Sequence, residues 1–136
     1  MIDVRIVTDT IVAALDDALD AGVRFATAPA GDPDLYVVVE IPPGSLTDGS
    51  LGDPEQGLDL RVRLRCVVRH TDATQAARAC LDLATQARTA ILDRTTPIAA
   101  TGWACTGRQL VADAGLDLIG PIANHIADYE LKIAKA

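Results

Sequence analysis

The stretch DLRVRLRCVVRH, residues 59–70, alternates apolar and charged side chains with a period of two. A β-strand sends successive side chains to opposite faces, whereas a helix smears a period-two pattern around its whole circumference. Leu60, Val62, Leu64, Cys66 and Val68 therefore share one face, and Arg61, Arg63, Arg65 and Arg69 share the other with Val67. At ~3.3 Å per residue such a strand reaches about 40 Å, longer than most in compact domains. The fold must supply a core beneath the first face and acidic partners for the second.

The other elements follow from periodicity and punctuation. Residues 4–21 carry an apolar helical stripe (Val7, Ile11, Ala14, Leu15, Ala18, Leu19), with Asp9, Asp16, Asp17 and Asp20 mostly off it. Asp3 or Thr8 is placed to cap the start of this helix, and Gly22 its end. VRFATAP is a candidate short strand and APAGDPD a turn. LYVVVEIP, 35–42, is a strand whose near-continuous apolar run implies burial on both faces. Residues 43–57 hold four glycines and two prolines and are read as a long loop. A second helix spans 71–94, capped by Thr71 or Asp72, with Ala76, Ala77, Cys80, Leu83, Ala84, Ala87 and Ile91 inward. Its alanines imply close approach to a sheet. WACTGRQLVADAGLDLIG is one or two strands, PIANH a turn, and IADYELKIA a last alternating strand. In that strand Ala127, Tyr129, Leu131 and Ile133 oppose Asp128, Glu130 and Lys132.

The order predicts an α+β fold, a mostly antiparallel sheet with two helices packed on one face, in a single domain spanning 1–136. If the last strand lies beside the arginine strand, Asp128 and Glu130 meet the arginines across the ladder, each pair contributing roughly 0.2–1 kcal/mol. Two acids do not match four arginines, so the remainder falls to water or to a second subunit.

Charge and composition narrow the function. Residues 1–59 hold 12 acids and 2 bases, while 60–136 hold 7 acids and 10 bases. The net charge is −7 and no Lys/Arg block exists, which argues against a nucleic-acid footprint. Aromatics are only 3%, too few for a base-stacking platform. No apolar run approaches the ~20 residues of a membrane span, and MIDVRIVTDT does not read as a signal peptide. Three widely spaced cysteines, Cys66, Cys80 and Cys105, suit free thiols in a reducing compartment.

Motifs for chemistry are sparse. His70 lies at a strand end and His125 in the expected turn, both read as solvated. Cys66 and His70 are roughly 13 Å apart along an extended strand, too far for a thiolate–imidazole pair. No zinc spacing, GxSxG elbow or calcium loop is found, and the 43–57 loop lacks the Gly-Lys-Ser/Thr ending of a phosphate loop. The expectation is a protein without catalytic residues, cofactor or metal.

The stretch YVVVEIPPGSLTDGSLGDPEQGLDLRVRLRCVVRHTDATQAARACLDLA resembles the tail terminator (tail completion) proteins of long-tailed bacteriophages infecting actinobacteria. The features that carry this are a leading helix, a strand running into IPPGS, a Gly-rich acidic loop with DP, a long strand, an Ala-rich QAARACL helix and a closing DYELKI strand. The arginine density of 61–69 departs from the family's commoner polar uncharged residues. The resemblance implies a structural virion protein at the head–tail junction, assembled in the host cytoplasm into a hexameric ring. Such a ring ends tail-tube polymerisation and joins the tail to the head connector. Its implied partners are further copies of itself, the tail tube protein and a head-closure or connector protein. Genomic DNA passes its lumen without specific binding, and no membrane is involved. Arg61, Arg63, Arg65, Arg69, Asp16, Asp17, Asp20, Asp128 and Glu130 are then candidates for the subunit interface. Ser45, Leu46, Asp48, Leu51, Asp53 and Glu55 are candidates for contact with the adjacent ring. The alternatives are a head-closure component of the same particle and a small-molecule-binding module.

Overall fold

The computed structural model describes residues 3–31, 33–42, 46–47, 57–100 and 102–135. Among the described residues, two helices and seven strands follow one another as α1 Val4–Ala18, β1 Gly22–Phe25, β2 Leu35–Glu40, β3 Leu46–Thr47, β4 Gly57–Arg69, α2 Ala73–Leu92, β5 Ala99–Ala100, β6 Trp103–Ile119 and β7 Ile122–Lys135. The strands form one sheet in the order β1-β2-β4-β7-β6-β5, with β3 paired to β4. Among the described residues, only the β1–β2 pairing is parallel. The α+β class, the antiparallel sheet and the one-sided helices agree with the sequence.

The centre of the sheet is the β4–β7 ladder. It brings Leu60 opposite Leu131, Val62 opposite Tyr129 and Leu64 opposite Ala127, all buried. Helix α2 lies over β4, β7 and β6, and α1 over β1 and β5. Val7, Ile11 and Leu15 from α1 join Ala76, Cys80, Leu83, Ala87 and Ile91 from α2 in one core with that face. The small α2 side chains let the helix backbone approach the strands, and the Cys80 thiol donates to the Cys66 carbonyl at 3.4 Å. In β2, Val37, Val38 and Val39 are all buried, as its continuous apolar run required.

Asp3 caps α1 by accepting from the Arg5 N–H at 2.9 Å, and Asp72 caps α2 by accepting from Thr74 and Gln75. Several boundaries differ from the sequence reading. Helix α1 stops at Ala18 with Leu19 as its C-cap, and Gly22 opens β1 instead of ending the helix. The expected 43–57 loop is interrupted: Leu46 and Thr47 pair antiparallel with Leu60 and Asp59. WACTGRQLVADAGLDLI is one strand carrying three register shifts, at Cys105/Gly107, Leu110/Ala112 and Asp113/Gly115. Gly115 takes φ +78 at the last of these, a conformation that costs glycine little.

PIANH is not a turn. The turn is Gly120–Pro121 alone, with Gly120 at φ +57, and Ile122–His125 already belong to β7. His125 is correspondingly not solvated. It points to the helix side, is 8% exposed, and holds its Nε2 3.0 Å from the Asp113 carboxylate. His70 is exposed as expected, and its Nδ1 accepts from the Asp72 N–H at 2.9 Å.

Candidate functional site

The arginine row lies on the sheet face away from the helices, as the alternation dictated. Antiparallel pairing sets Arg61 opposite Glu130, Arg63 opposite Asp128 and Asp59 opposite Lys132. The Arg63 guanidinium grips Asp128 with both Nε and Nη2, at 2.9 and 3.3 Å. That hydrogen bond raises the Arg63 pKa above its ordinary value, against the opposing effect of partial burial. Arg65 Nε binds Glu40 Oε1 at 3.0 Å, a partner contributed by β2. Lys132 reaches Asp59 at 3.4 Å and Glu130 at 3.8 Å, and Gln109 donates to Glu130 at 3.3 Å. Glu40 was absent from the sequence reading. Its signal was its place on the outward face of a strand next to β4, visible only once β2 and β4 are known neighbours.

The two candidate interface groups therefore part company. Arg63, Arg65, Asp128 and Glu130 are all engaged within the subunit, Arg63 by Asp128, Arg65 by Glu40 and Glu130 by Lys132 and Gln109. Arg61 is exposed and has no ion pair among the described residues. Arg69 is exposed at the strand end, where its backbone N–H bonds the Asp34 carbonyl at 2.7 Å. Asp16, Asp17 and Asp20 are exposed at the end of α1, on the opposite layer, and Asp16 accepts from the Val23 N–H at 3.3 Å. Of the expected adjacent-ring residues, only the backbone of Leu46 is placed, in β3; Ser45, Asp48, Leu51, Asp53 and Glu55 lie outside the described residues.

The sheet's two free edges differ. At β1 the Val23 N–H is taken by Asp16, and the Thr27 N–H closes on the Phe25 carbonyl at 2.8 Å. At β6 the short β5 covers Trp103 and Ala104, and the Cys105 N–H bonds the Ile98 carbonyl at 2.9 Å. From Thr106 to Ile119 the outer edge of β6 has no strand beside it among the described residues.

Other chemistry can be located. Burial pushes the Cys66 thiol up to about 12 and Cys80 to about 11, so both stay protonated near neutrality. No group of three or more His, Cys, Asp or Glu able to hold a metal occurs among the described residues. A cleft of about 360 Å³ lies between the ends of α1 and α2, lined by Leu19, Thr85, Gln86, Thr89 and Asp93 among others. Arg108, from β6, reaches across to the end of α2. It donates to the carbonyls of Ile91 at 3.4 Å and Thr96 at 2.6 Å, and to that of Asp93. No described helix is long and apolar enough to cross a membrane.

No protein-family model and no curated protein matches the chain. Among solved structures, a chain described as "Virion of native gene transfer agent (GTA) particle" aligns with 96% of this chain and 92% of its own length, at 12% identity and a TM-score of 0.60. A second solved structure aligns more loosely over 95% of both chains, at 15% identity and a TM-score of 0.48. The first likeness shows that this chain shares, over nearly its whole length, the fold of a chain from a gene transfer agent virion.

Proposed function

We propose that the chain is a structural protein of a phage-type particle. More finely, it forms a ring at the head-proximal end of the tail tube, ends tube polymerisation and joins the tail to the head connector. The observation that carries the reading is the shared fold with a gene transfer agent virion chain over 96% of this sequence. The sequence resemblance to tail terminators supports the finer assignment.

The surface is compatible with head-to-tail assembly, in which each subunit offers two different patches to its neighbours. Because Arg63 and Arg65 are satisfied internally, Arg61 is the arginine available to a neighbour, and exposed Asp17 and Asp20 are its candidate partners. One exposed pair is worth no more than ~1 kcal/mol and does not hold a ring together. Repeated at each interface it sets orientation and register.

Two experiments test the proposal. Electron microscopy of particles lacking the chain should show overlong tail tubes. Leaking heads with tails of normal length would transfer the chain to the head-closure step, and intact infectious particles would remove it from the neck altogether. Separately, Arg61→Glu should fold normally yet fail to assemble, and Asp17→Arg or Asp20→Arg should restore assembly. Normal assembly of Arg61→Glu would withdraw Arg61 from the interface while leaving the ring itself to be judged by particle symmetry.

A further inference from the structure

The open edge of β6 is not uniform. Fourteen residues, Thr106–Ile119, run without an outer neighbour among the described residues, a length of about 45 Å. The register shifts near Thr106, Val111 and Ala114 break the first part of this edge, and such bulges are a device that keeps strands from pairing there. Asp113 reinforces the last bulge by accepting the Gly115 N–H at 2.8 Å. Beyond it the register is unbroken, Gly115–Ile119 against Ile126–Ile122.

This final segment has the properties of an acceptor. Leu118 and Ile119 are 48% and 64% exposed, the two highest values for large apolar residues among those described. The pleat sends them to opposite faces, so a strand laid alongside meets apolar surface on both sides. Asp117 stands between Leu116 and Leu118, exposed, with no ion pair or side-chain hydrogen bond among the described residues. The β1 edge is shorter, four residues, and is closed at both ends, where Asp16 takes the Val23 N–H and the Thr27 N–H closes on the Phe25 carbonyl, whereas on β6 the Asp113 contact takes the Gly115 N–H at the bulge alone.

A second copy of this chain is a poor occupant. Antiparallel self-pairing of Gly115–Ile119 about its midpoint sets Asp117 directly against Asp117 of the other copy, and like charges directly opposed are destabilising. Shifting the midpoint to Leu118 avoids that clash only by shortening the ladder to Asp117–Ile119, because Leu116 and Gly115 then face the Gly120–Pro121 turn. We propose that the Gly115–Ile119 edge of β6 is a strand-addition site for an extended segment of a different polypeptide, one carrying Lys or Arg between apolar residues. The backbone ladder supplies affinity, and the cation opposite Asp117 with apolar neighbours supplies register. The site is defined in the single chain and holds whether or not the chain forms a ring.

The test uses the full chain and two synthetic probes, acetyl-Thr-Ile-Val-Lys-Val-Thr-amide and its counterpart with Glu in place of Lys. Titration into ¹⁵N-labelled protein at low salt should shift and protect the amides of Gly115–Ile119 and leave those of Val23–Phe25 unmoved. Swapping an opposite for a like charge across the ladder should weaken binding by ~3-fold or more, and the Asp117→Lys variant should reverse the preference. That variant changes an exposed side chain, so an unaltered melting temperature checks its fold. Three results would each overturn the proposal: no perturbation of β6 at millimolar probe, equal binding of both probes to both proteins, or concentration-dependent self-association that protects the same amides.

Discussion

Arg108 is the single side chain whose removal should cost the fold most outside the apolar core. Helix α2 carries no basic residue in its last turn, so its terminal carbonyls depend on a donor from elsewhere. Arg108 provides it from the neighbouring strand, serving the carbonyls of Ile91, Asp93 and Thr96 with two guanidinium nitrogens. Hydrogen bonds from charged donors contribute about 1.5–3 kcal/mol each when fully shielded. These three are only part-buried, and the Ile91 contact is long, so Arg108→Ala is expected to cost about 2–3 kcal/mol in total. Unfolding entropy near 2.1 cal/mol/K per residue makes about 0.3 kcal/mol/K for 136 residues. The melting temperature should fall by about 7–10 °C. Arg94→Ala, at an exposed neighbouring position whose side chain makes no hydrogen bond among the described residues, is the control and should change stability by less than ~0.5 kcal/mol. Arg108→Lys keeps the charge but not the fork, and should recover only part of the loss. Calorimetry decides. If Arg108→Ala melts within ~1 °C of the parent, the carbonyls are satisfied by water and the clamp is not a stabilising element.

Three further outcomes are expected. Arg63→Ala should lose up to ~1 kcal/mol by breaking the two-point contact with Asp128, whereas Arg61→Ala should leave urea midpoints unchanged; equal effects would contradict the ladder. With a thiol reagent at pH 8, half-buried Cys105 should react first, while Cys66 and Cys80 wait for global unfolding; rapid labelling of all three would show that α2 opens locally. Burial raises Cys66 from 9.0 to about 12, Cys80 from 9.0 to about 11 and Tyr129 from 10.0 to about 12, so these groups add full stability below pH 9. From pH 9 to about 12 the unfolded chain loses those protons first, and stability should fall progressively there; a flat alkaline melting profile, or one that Cys66→Val does not soften, would refute this.

The sequence disclosed most where one periodicity ran unopposed. The alternation of 59–70 assigned each face of β4 correctly, and the same pattern in 127–133 gave the buried side of β7. Asp3 and Asp72 marked both helix starts, because an N-cap is a local arrangement of side chain and backbone. The misses have physical causes. At the start of β7 the pattern inverts polarity: His125 goes inward to Asp113, while Ile122 and Ile126 take the outer face. Hydrophobicity alone then reads Ile122–His125 as irregular. In β6 three extra residues shift the phase, so no single period spans it. Glu40 and Arg108 act through neighbours distant in sequence, which local patterns do not reveal. Of the interface candidates, the sequence identified the cross-strand acids Asp128 and Glu130, but it could not tell that Asp128 would take Arg63 while Glu130 would take Lys132 and Gln109 instead of an arginine.

The strand order has a consequence for biogenesis. β7, the last of the described strands, sits between β4 and β6 in the interior of the sheet. Its hairpin with β6 closes locally, but its ladder with β4 joins Gly57 to Ala134 and Arg69 to Ile122. Until residues 122–134 have left the ribosome, the edge of β4 opposite β2 and β3 has its backbone donors and acceptors unpaired. Contacts of such long sequence separation make folding slow. A chain cut short before Ile122 cannot insert a substitute, because the missing strand is central and not peripheral. Folding is therefore held back until residues 122–134 have been made, and chains terminated before them leave the hydrogen-bonding edge of β4 open to other strands, chaperones and proteases.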